Sequence, residues 1–279
     1  MTVEPELIEK AAERLMGAAL SGTPCAPVRD LIGPADIDAA YLVQSQNIGE
    51  HERKGHRRVG RKIGLTSPSV QAQIGVDQPD FGVLLDFMDC TGDGAIDIAR
   101  LMQPRIEAEV AFVLSTDIDR EISAADAPSF VREIAAAFEI VDSRVENWNI
   151  SLADTVADNA SSGLFVLGDS IAVADAPELS EVTMTSVSGG VVVSSGRGSD
   201  CLGSPWNSLA WLANTSLRYG APLRAGEIIL SGALGPLAEV APGSDFSGHI
   251  AGIGSVEAIF THSRQSDLEH QKVGNTWLG

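Results

Sequence analysis

Arg105-Ile106-Glu107-Ala108-Glu109-Val110-Ala111-Phe112-Val113-Leu114 alternates in character at every second position over its first half and is apolar beyond it. In an extended strand successive side chains point to opposite faces. Ile106, Ala108, Val110, Phe112 and Leu114 therefore share one face, and Glu107 and Glu109 lie side by side on the other. Adjacent carboxylates in an otherwise apolar strand are costly unless something neutralises them, and a hard divalent cation with oxygen ligands does so. Mg²⁺ and Mn²⁺ are the candidate ions. Glu139, within Ala135-Ala136-Ala137-Phe138-Glu139-Ile140-Val141, adds a third carboxylate where burial is expected and an unpaired charge would be expensive. Three carboxylates leave coordination positions open for a substrate. The competing reading has Glu107 and Glu109 on a solvated strand face and Glu139 paired with an arginine.

Working outward from this strand, short apolar runs punctuated by Gly, Pro, Asp and Ser predict a β-rich body from Gly60 onward. Further strands are expected at Arg61–Leu65, Leu164–Leu167, Val182–Val187, Gly190–Ser194, Glu227–Ser231 and Ser255–Phe260. Two helices interrupt them. One is expected over Ser129–Phe138; the other has Ser204 as N-cap, Pro205 in its first turn, an apolar stripe of Trp206, Leu209, Ala210, Ala213 and Leu217, and Gly220 beyond its end. Upstream, Leu7, Ile8, Ala11, Ala12, Leu15, Met16 and Ala19 recur at helical spacing before Gly22, and a second helix is expected from Pro34 to Gly55. The expected architecture is α+β: a helical module over residues 1–58, a β-rich body over 59–262, and a polar, mobile tail over 263–279.

The chain has 279 residues, with 19 Lys+Arg against 38 Asp+Glu and a formal charge of −19, which disfavours nucleic acid and anionic membrane surfaces as partners. No stretch approaches the roughly 18 apolar residues of a membrane span. Cys25, Cys90 and Cys201 form no CxxC pair, and Met1–Lys10 carries three glutamates and no secretory n-region. A reducing, cytoplasmic location is expected, in which the triplets at Asn149, Asn159 and Asn214 are chance matches to a glycosylation pattern. His51-Glu52 and His56 are mis-spaced for HExxH, Gly196-Arg197-Gly198 lacks the third glycine of GxGxxG, and neither a P-loop nor a GxSxG elbow occurs.

Three further features carry possible chemistry. Lys62, in a short glycine-flanked apolar strand, would polarise a carbonyl or hold a carboxylate, or else reach to water. Asp80 follows a turn-rich stretch in which aspartate often caps a turn. Asp158-Asn159-Ala160-Ser161-Ser162-Gly163 offers hydroxyls and backbone N–H groups for a carboxylate, and equally fits a helix-to-strand turn.

Together, Arg61-Lys62-Ile63-Gly64-Leu65-Thr66, Gly75-Val76-Asp77-Gln78-Pro79-Asp80-Phe81-Gly82, Gln103-Pro104-Arg105-Ile106-Glu107-Ala108-Glu109 and Asp154-Thr155-Val156-Ala157-Asp158-Asn159-Ala160-Ser161 resemble the 2-keto-4-pentenoate (2-hydroxypenta-2,4-dienoate) hydratase family. Ser194–Gly198, Gly232–Pro236 and His249–Ser255 extend the resemblance towards His262. It implies the fumarylacetoacetase-type fold, a mixed β roll around a central site with the amino-terminal helices beside it, assembled as a homo-oligomer. It implies Glu107, Glu109 and Glu139 as ligands of Mg²⁺ or Mn²⁺, Lys62 and Asp80 as active-site residues, and Ser161 as a substrate contact. The implied reaction hydrates an anionic 2-hydroxyalka-2,4-dienoate to a 4-hydroxy-2-oxoalkanoate in aromatic or steroid meta-cleavage catabolism, with a pathway aldolase as a further partner. A 4-oxalocrotonate decarboxylase is the nearest alternative. An acylpyruvate hydrolase is more distant, because its pattern has aspartate as third ligand and a His/Glu pair; a non-catalytic scaffold is the remaining reading.

Overall fold

The computed structural model describes residues 3–67, 71 and 78–262. The expected tail at 263–279 and part of the Gly75–Gly82 block lie outside the described residues. Helix α1 (Pro5–Ser21) begins on proline, buries Ala11, Ala12, Leu15 and Ala18, and ends at Gly22 in the left-handed region. After the short α2 (Arg29–Ile32), α3 (Ile37–Arg53) starts later than Pro34 because Asp36 caps it, its side chain accepting from the Ala39 N–H at 3.0 Å.

The remaining described strands and α-helices are β1 (Arg58–Gly64), β2 (Asp80–Leu85), β3 (Arg105–Leu114), β4 (Val131–Val141), α4 (Leu152–Ala157), β5 (Ser162–Ala172), β6 (Thr183–Ser188), β7 (Val191–Arg197), α5 (Pro205–Arg218), β8 (Ile228–Ala233), β9 (Ala238–Glu239), β10 (Asp245–Ile250) and β11 (Gly254–Ile259). A mixed seven-stranded sheet runs β2-β1-β8-β3-β4-β5 with β9 on β3, and a four-stranded sheet runs β11-β10-β6-β7. Among the described residues, β1 and β8 are the only parallel strand neighbours within the large sheet. Phe138 of β4 meets Phe246 of β10 edge to face at 6.4 Å, joining the sheets.

The helix expected over Ser129–Phe138 is not formed. A 3-10 turn at Ala127–Phe130 leads into β4, which pairs with β3 on one side and β5 on the other. The alanine run favours helix locally, but two sets of ladder hydrogen bonds and burial on both faces override that preference.

Asp154 fastens the amino-terminal helices to α4. Its Oδ1 accepts from the N–H groups of Val28 and Arg29 at 2.9 and 2.8 Å, and its Oδ2 receives Arg29 Nη1 at 2.6 Å and the Ser151 hydroxyl at 2.8 Å. Ala11, Leu15, Val28 and Val43 share one apolar core with Ala153, Val156, Ile63 and Phe81. Among the described residues no helix is long and apolar enough to cross a membrane.

Candidate active site

The β3–β4 register sets Glu107 directly opposite Glu139, and alternation puts Glu109 on the same face. Like charges directly opposite destabilise a strand pair. Here one ligand oxygen from each of Glu107, Glu109 and Glu139 lies within 4.8 Å of the others. Glu109 and Glu139 have no exposure and Glu107 has 9%, so the solvated-face reading is overturned. Ala111, Ala135 and Ala137 occupy the same face, buried in an apolar cluster with Phe165 and Leu230.

Glu109 is held by one oxygen: its Oε2 accepts from the Gly232 N–H at 2.7 Å. Gly232 has φ +100°, and a Cβ there would lie 2.4 Å from the Thr66 side chain, so glycine is required for this approach. Glu109 Oε1 and both oxygens of Glu139 accept no hydrogen bond. Lys62 Nζ stands 3.1 Å from Glu139 Oε1 as an ion pair, with 2% exposure for the residue. The lysine is therefore turned inward, and Glu139 pairs with it rather than with an arginine.

Buried, donor-poor carboxylate oxygens converging on one point are what an all-oxygen site for a hard dication requires, and the three glutamates fit such an ion. Without a cation, burial and then the charge of Glu139 push the Glu107 carboxyl up to about 8. Burial, Glu139 and Glu107 together hold Glu109 well above the usual carboxylate range. Burial also raises Glu139, against the pull of Lys62. For Lys62 burial disfavours the charge, but the attraction of Glu139, then Asp80, Glu107 and Glu109, prevails and holds the ammonium above the ordinary lysine value.

Asp80 is not in a turn: it is the first residue of β2, paired with Gly64 of β1. Burial raises its carboxyl and Lys62 opposes the rise. Its Oδ2 accepts from Thr155 Oγ1 at 3.3 Å, and Thr155 Oγ1 lies 3.4 Å from Ser161 Oγ. The structure thus joins Asp80 and Ser161 through a residue that sequence reasoning does not single out; its signal is membership of the Asp154–Ser161 block. The 158–163 stretch is the helix-to-strand turn, with Asn159, Ala160 and Ser161 at φ +54°, +51° and +53°.

The family model described as Fumarylacetoacetate (FAA) hydrolase C-terminal matches residues 85–261. The 2-keto-4-pentenoate hydratase 2 of Dechloromonas aromatica (strain RCB) is 51% identical over 90% of this chain and 97% of its own length. The chain belongs to the 2-keto-4-pentenoate hydratase family. Similar to this hydratase family chain, too, is 2-hydroxyhexa-2,4-dienoate hydratase of Comamonas testosteroni, at 39% identity over 92% of this chain and 99% of that protein. A solved structure of 4-oxalocrotonate decarboxylase from Pseudomonas putida G7, complexed with magnesium and adipate, superimposes with a TM-score of 0.87 at 31% identity, covering 93% of this chain and 99% of that one. The segment matched by the family model holds the three glutamates and Ser161, whereas Lys62 and Asp80 precede it.

Proposed function

We propose that this chain is a metal-dependent hydro-lyase that adds water to a 2-hydroxyalka-2,4-dienoate of the 2-hydroxypenta-2,4-dienoate type, giving a 4-hydroxy-2-oxoalkanoate. The observation that carries this reading is the convergence of Glu107, Glu109 and Glu139 with Lys62 and Asp80 in one buried site. The hydratase names of the relatives support it, and their 51% and 39% identities exceed the decarboxylase's 31%. Among the described residues nothing supports hydrolysis through a His/Glu pair: His51 packs tilted and His56 edge-on against Phe87, His249 faces Ser255, and His262 lies against Gly243.

Glu107, Glu109 and Glu139 would hold Mg²⁺ or Mn²⁺, a Lewis acid that stabilises the negative charge developing on the enolate. Lys62 Nζ donates to the substrate's C2 oxygen, adding a second positive centre there. Ser161 Oγ donates to the C1 carboxylate. Asp80, whose carboxyl burial raises against the pull of Lys62, in its protonated form gives its proton to C5 as the dienol becomes the C2 ketone with a C3–C4 double bond. Ionised and facing Lys62, it then takes a proton from the water whose oxygen bonds to C4, and C3 takes a proton from solvent, replacing the one that the C2 hydroxyl gave up to solvent as the ketone formed. Thr155 Oγ1 orients the Asp80 carboxylate through both steps.

The helical module at residues 1–58 and the body at 59–262, a homo-oligomer, a cytoplasmic setting and hand-over of the product to an aldolase complete the proposal. These rest on the sequence reading above. The deciding experiment gives the purified protein 2-hydroxypenta-2,4-dienoate and, separately, 4-oxalocrotonate, with Mg²⁺ or Mn²⁺ and then with EDTA. The expected result is formation of 4-hydroxy-2-oxopentanoate that EDTA stops and no CO₂ from the dicarboxylate. CO₂ release from 4-oxalocrotonate without hydration would assign decarboxylation instead.

Cation affinity should also depend on pH. Carboxylate ligands bind only when deprotonated, and Glu107 in the cation-free protein titrates at about 8. Below that pH a bound proton must leave, and burial raises Glu109 and Glu139 as well, so Mg²⁺ affinity should rise with pH through about 8, by up to about tenfold per unit for each proton displaced. Isothermal titration calorimetry in buffers of different ionisation enthalpy counts that proton. An affinity that is flat from about pH 6 to 8 would contradict the assignment.

A further inference from the structure

Asp80, Thr155 and Ser161 come from three separate elements, β2, α4 and the turn before β5, so their spacing must be set by something that ties these elements together. The turn is held from beneath by Arg144, whose Nε pairs with Asp158 Oδ1 at 2.5 Å and whose Nη1 donates to Ser162 O at 2.7 Å. From the side it is held by Asn159. Its Oδ1 accepts from the Val83 N–H at 2.7 Å and its Nδ2 donates to the Val83 carbonyl at 2.9 Å.

Both backbone groups of one β2 residue are thus taken by one side chain. β2 is the outermost strand of the large sheet, and the carboxamide occupies the place that a neighbouring strand would fill. The approach is close: a Cβ on Gly82 would lie 2.4 Å from Asn159 O and 2.5 Å from Ser162 Oγ. Asn159, Ala160 and Ser161 all lie in the left-handed region, which L-residues adopt reluctantly and asparagine tolerates best among the three.

We propose that Asn159 is a positioning residue: by clamping Val83 of β2 to the left-handed turn it sets the distances among Asp80, Thr155 and Ser161. It touches neither substrate nor cation. The inference rests on the roles proposed above for Asp80 and Ser161. A clamp and a merely tolerant turn residue make different demands at this position. A turn residue needs only a backbone that accepts φ +54°, which glycine supplies more easily than asparagine. A clamp needs the carboxamide.

The test is Asn159→Gly, with Asn159→Ala as the strained counterpart and Asp80→Asn as the control on the underlying reading. Turnover of 2-hydroxypenta-2,4-dienoate, KM, Mg²⁺ affinity by calorimetry and the thermal midpoint are measured for each. The expected result is that kcat falls about 100-fold in both Asn159 variants, the loss typical of a misplacement near 1 Å. Mg²⁺ affinity should stay within about twofold of wild type, because the glutamates stand on β3 and β4; Asn159→Gly should melt above Asn159→Ala, whose left-handed backbone is strained. Full turnover in Asn159→Gly beside an impaired Asp80→Asn would overturn the clamp and leave the reading of Asp80 intact. Full turnover in Asp80→Asn would overturn that reading and the clamp with it. Loss of Mg²⁺ affinity in Asn159→Gly in step with kcat would show general disruption of the site and likewise overturn the proposal.

Discussion

Glu109→Gln is expected to push activity and stability in opposite directions. Asp80, Glu107, Glu109 and Glu139 are four buried carboxylates facing one buried ammonium, Lys62, so three negative charges stay uncompensated when all ionise. In the cation-free protein the exchange of Glu109 for its neutral isostere removes the cost of burying that charge or of holding its carboxyl well above the usual range, and keeps an oxygen to accept the Gly232 N–H. Stability in EDTA should rise by about 1–2 kcal/mol, since neutral replacements of unfavourably buried charges are commonly stabilising. Turnover should fall by at least about 100-fold, because the oxygen presented to the cation loses its charge where the transition state needs the ion held. Urea unfolding in EDTA and steady-state assay with Mg²⁺ read the two effects. A variant less stable than wild type in EDTA, or one with full turnover, would remove Glu109 from the proposed ligand set.

Lys62→Met should be damaging on both counts. Glu139 loses its ion pair at 3.1 Å and has no hydrogen-bond donor to replace it. Removing one partner of a buried pair costs about 3–5 kcal/mol when the other charge is left behind. The cost has a pH signature. The folded-state pKa of Glu139, already raised by burial, moves further above its unfolded value once Lys62 is gone. The stability of such a group is present below the unfolded pKa and lost as pH rises through the folded one, so the deficit against wild type should be small near pH 5 and grow towards pH 8. Turnover should fall about 100- to 1,000-fold, as for loss of a donor at a developing oxyanion. Lys62→Arg should not restore it, because a planar guanidinium cannot occupy the place of a compact ammonium. Urea unfolding across pH and steady-state rates test this; a pH-independent deficit would mean that Glu139 is not the group left exposed.

The glutamates were legible from the chain because strand alternation is a strict geometric rule: Glu107 and Glu109 must share a face wherever the strand ends up. That Glu139 stands opposite Glu107 was not legible, since the alanine run before it argues for a helix and only pairing with β3 and β5 makes it a strand. Burial of Lys62 was likewise undetermined, because the charges that draw it inward come from distant sequence. Asp80 reads as a turn cap from its neighbours Pro79 and Gly82, and becomes the start of β2 only by pairing with β1. Strand β10 (Asp245–Ile250) escapes notice for a similar reason: its polar and glycine positions look like a loop until β6 and β11 flank it. Helices α1 and α5, whose caps and stripes are local, match their sequence signals closely.

Asp154 bears on how such a chain can be recombined. Fully buried, it is shared between the Val28–Arg29 backbone and the amino end of α4, one residue before Thr155. A crossover that exchanges the first helices without the 151–161 segment would present this carboxylate with backbone amides from a foreign chain. Working chimaeras between relatives should therefore carry Val28–Arg29 and Ser151–Ser161 as a matched pair, inherited together although more than a hundred positions separate them in the sequence.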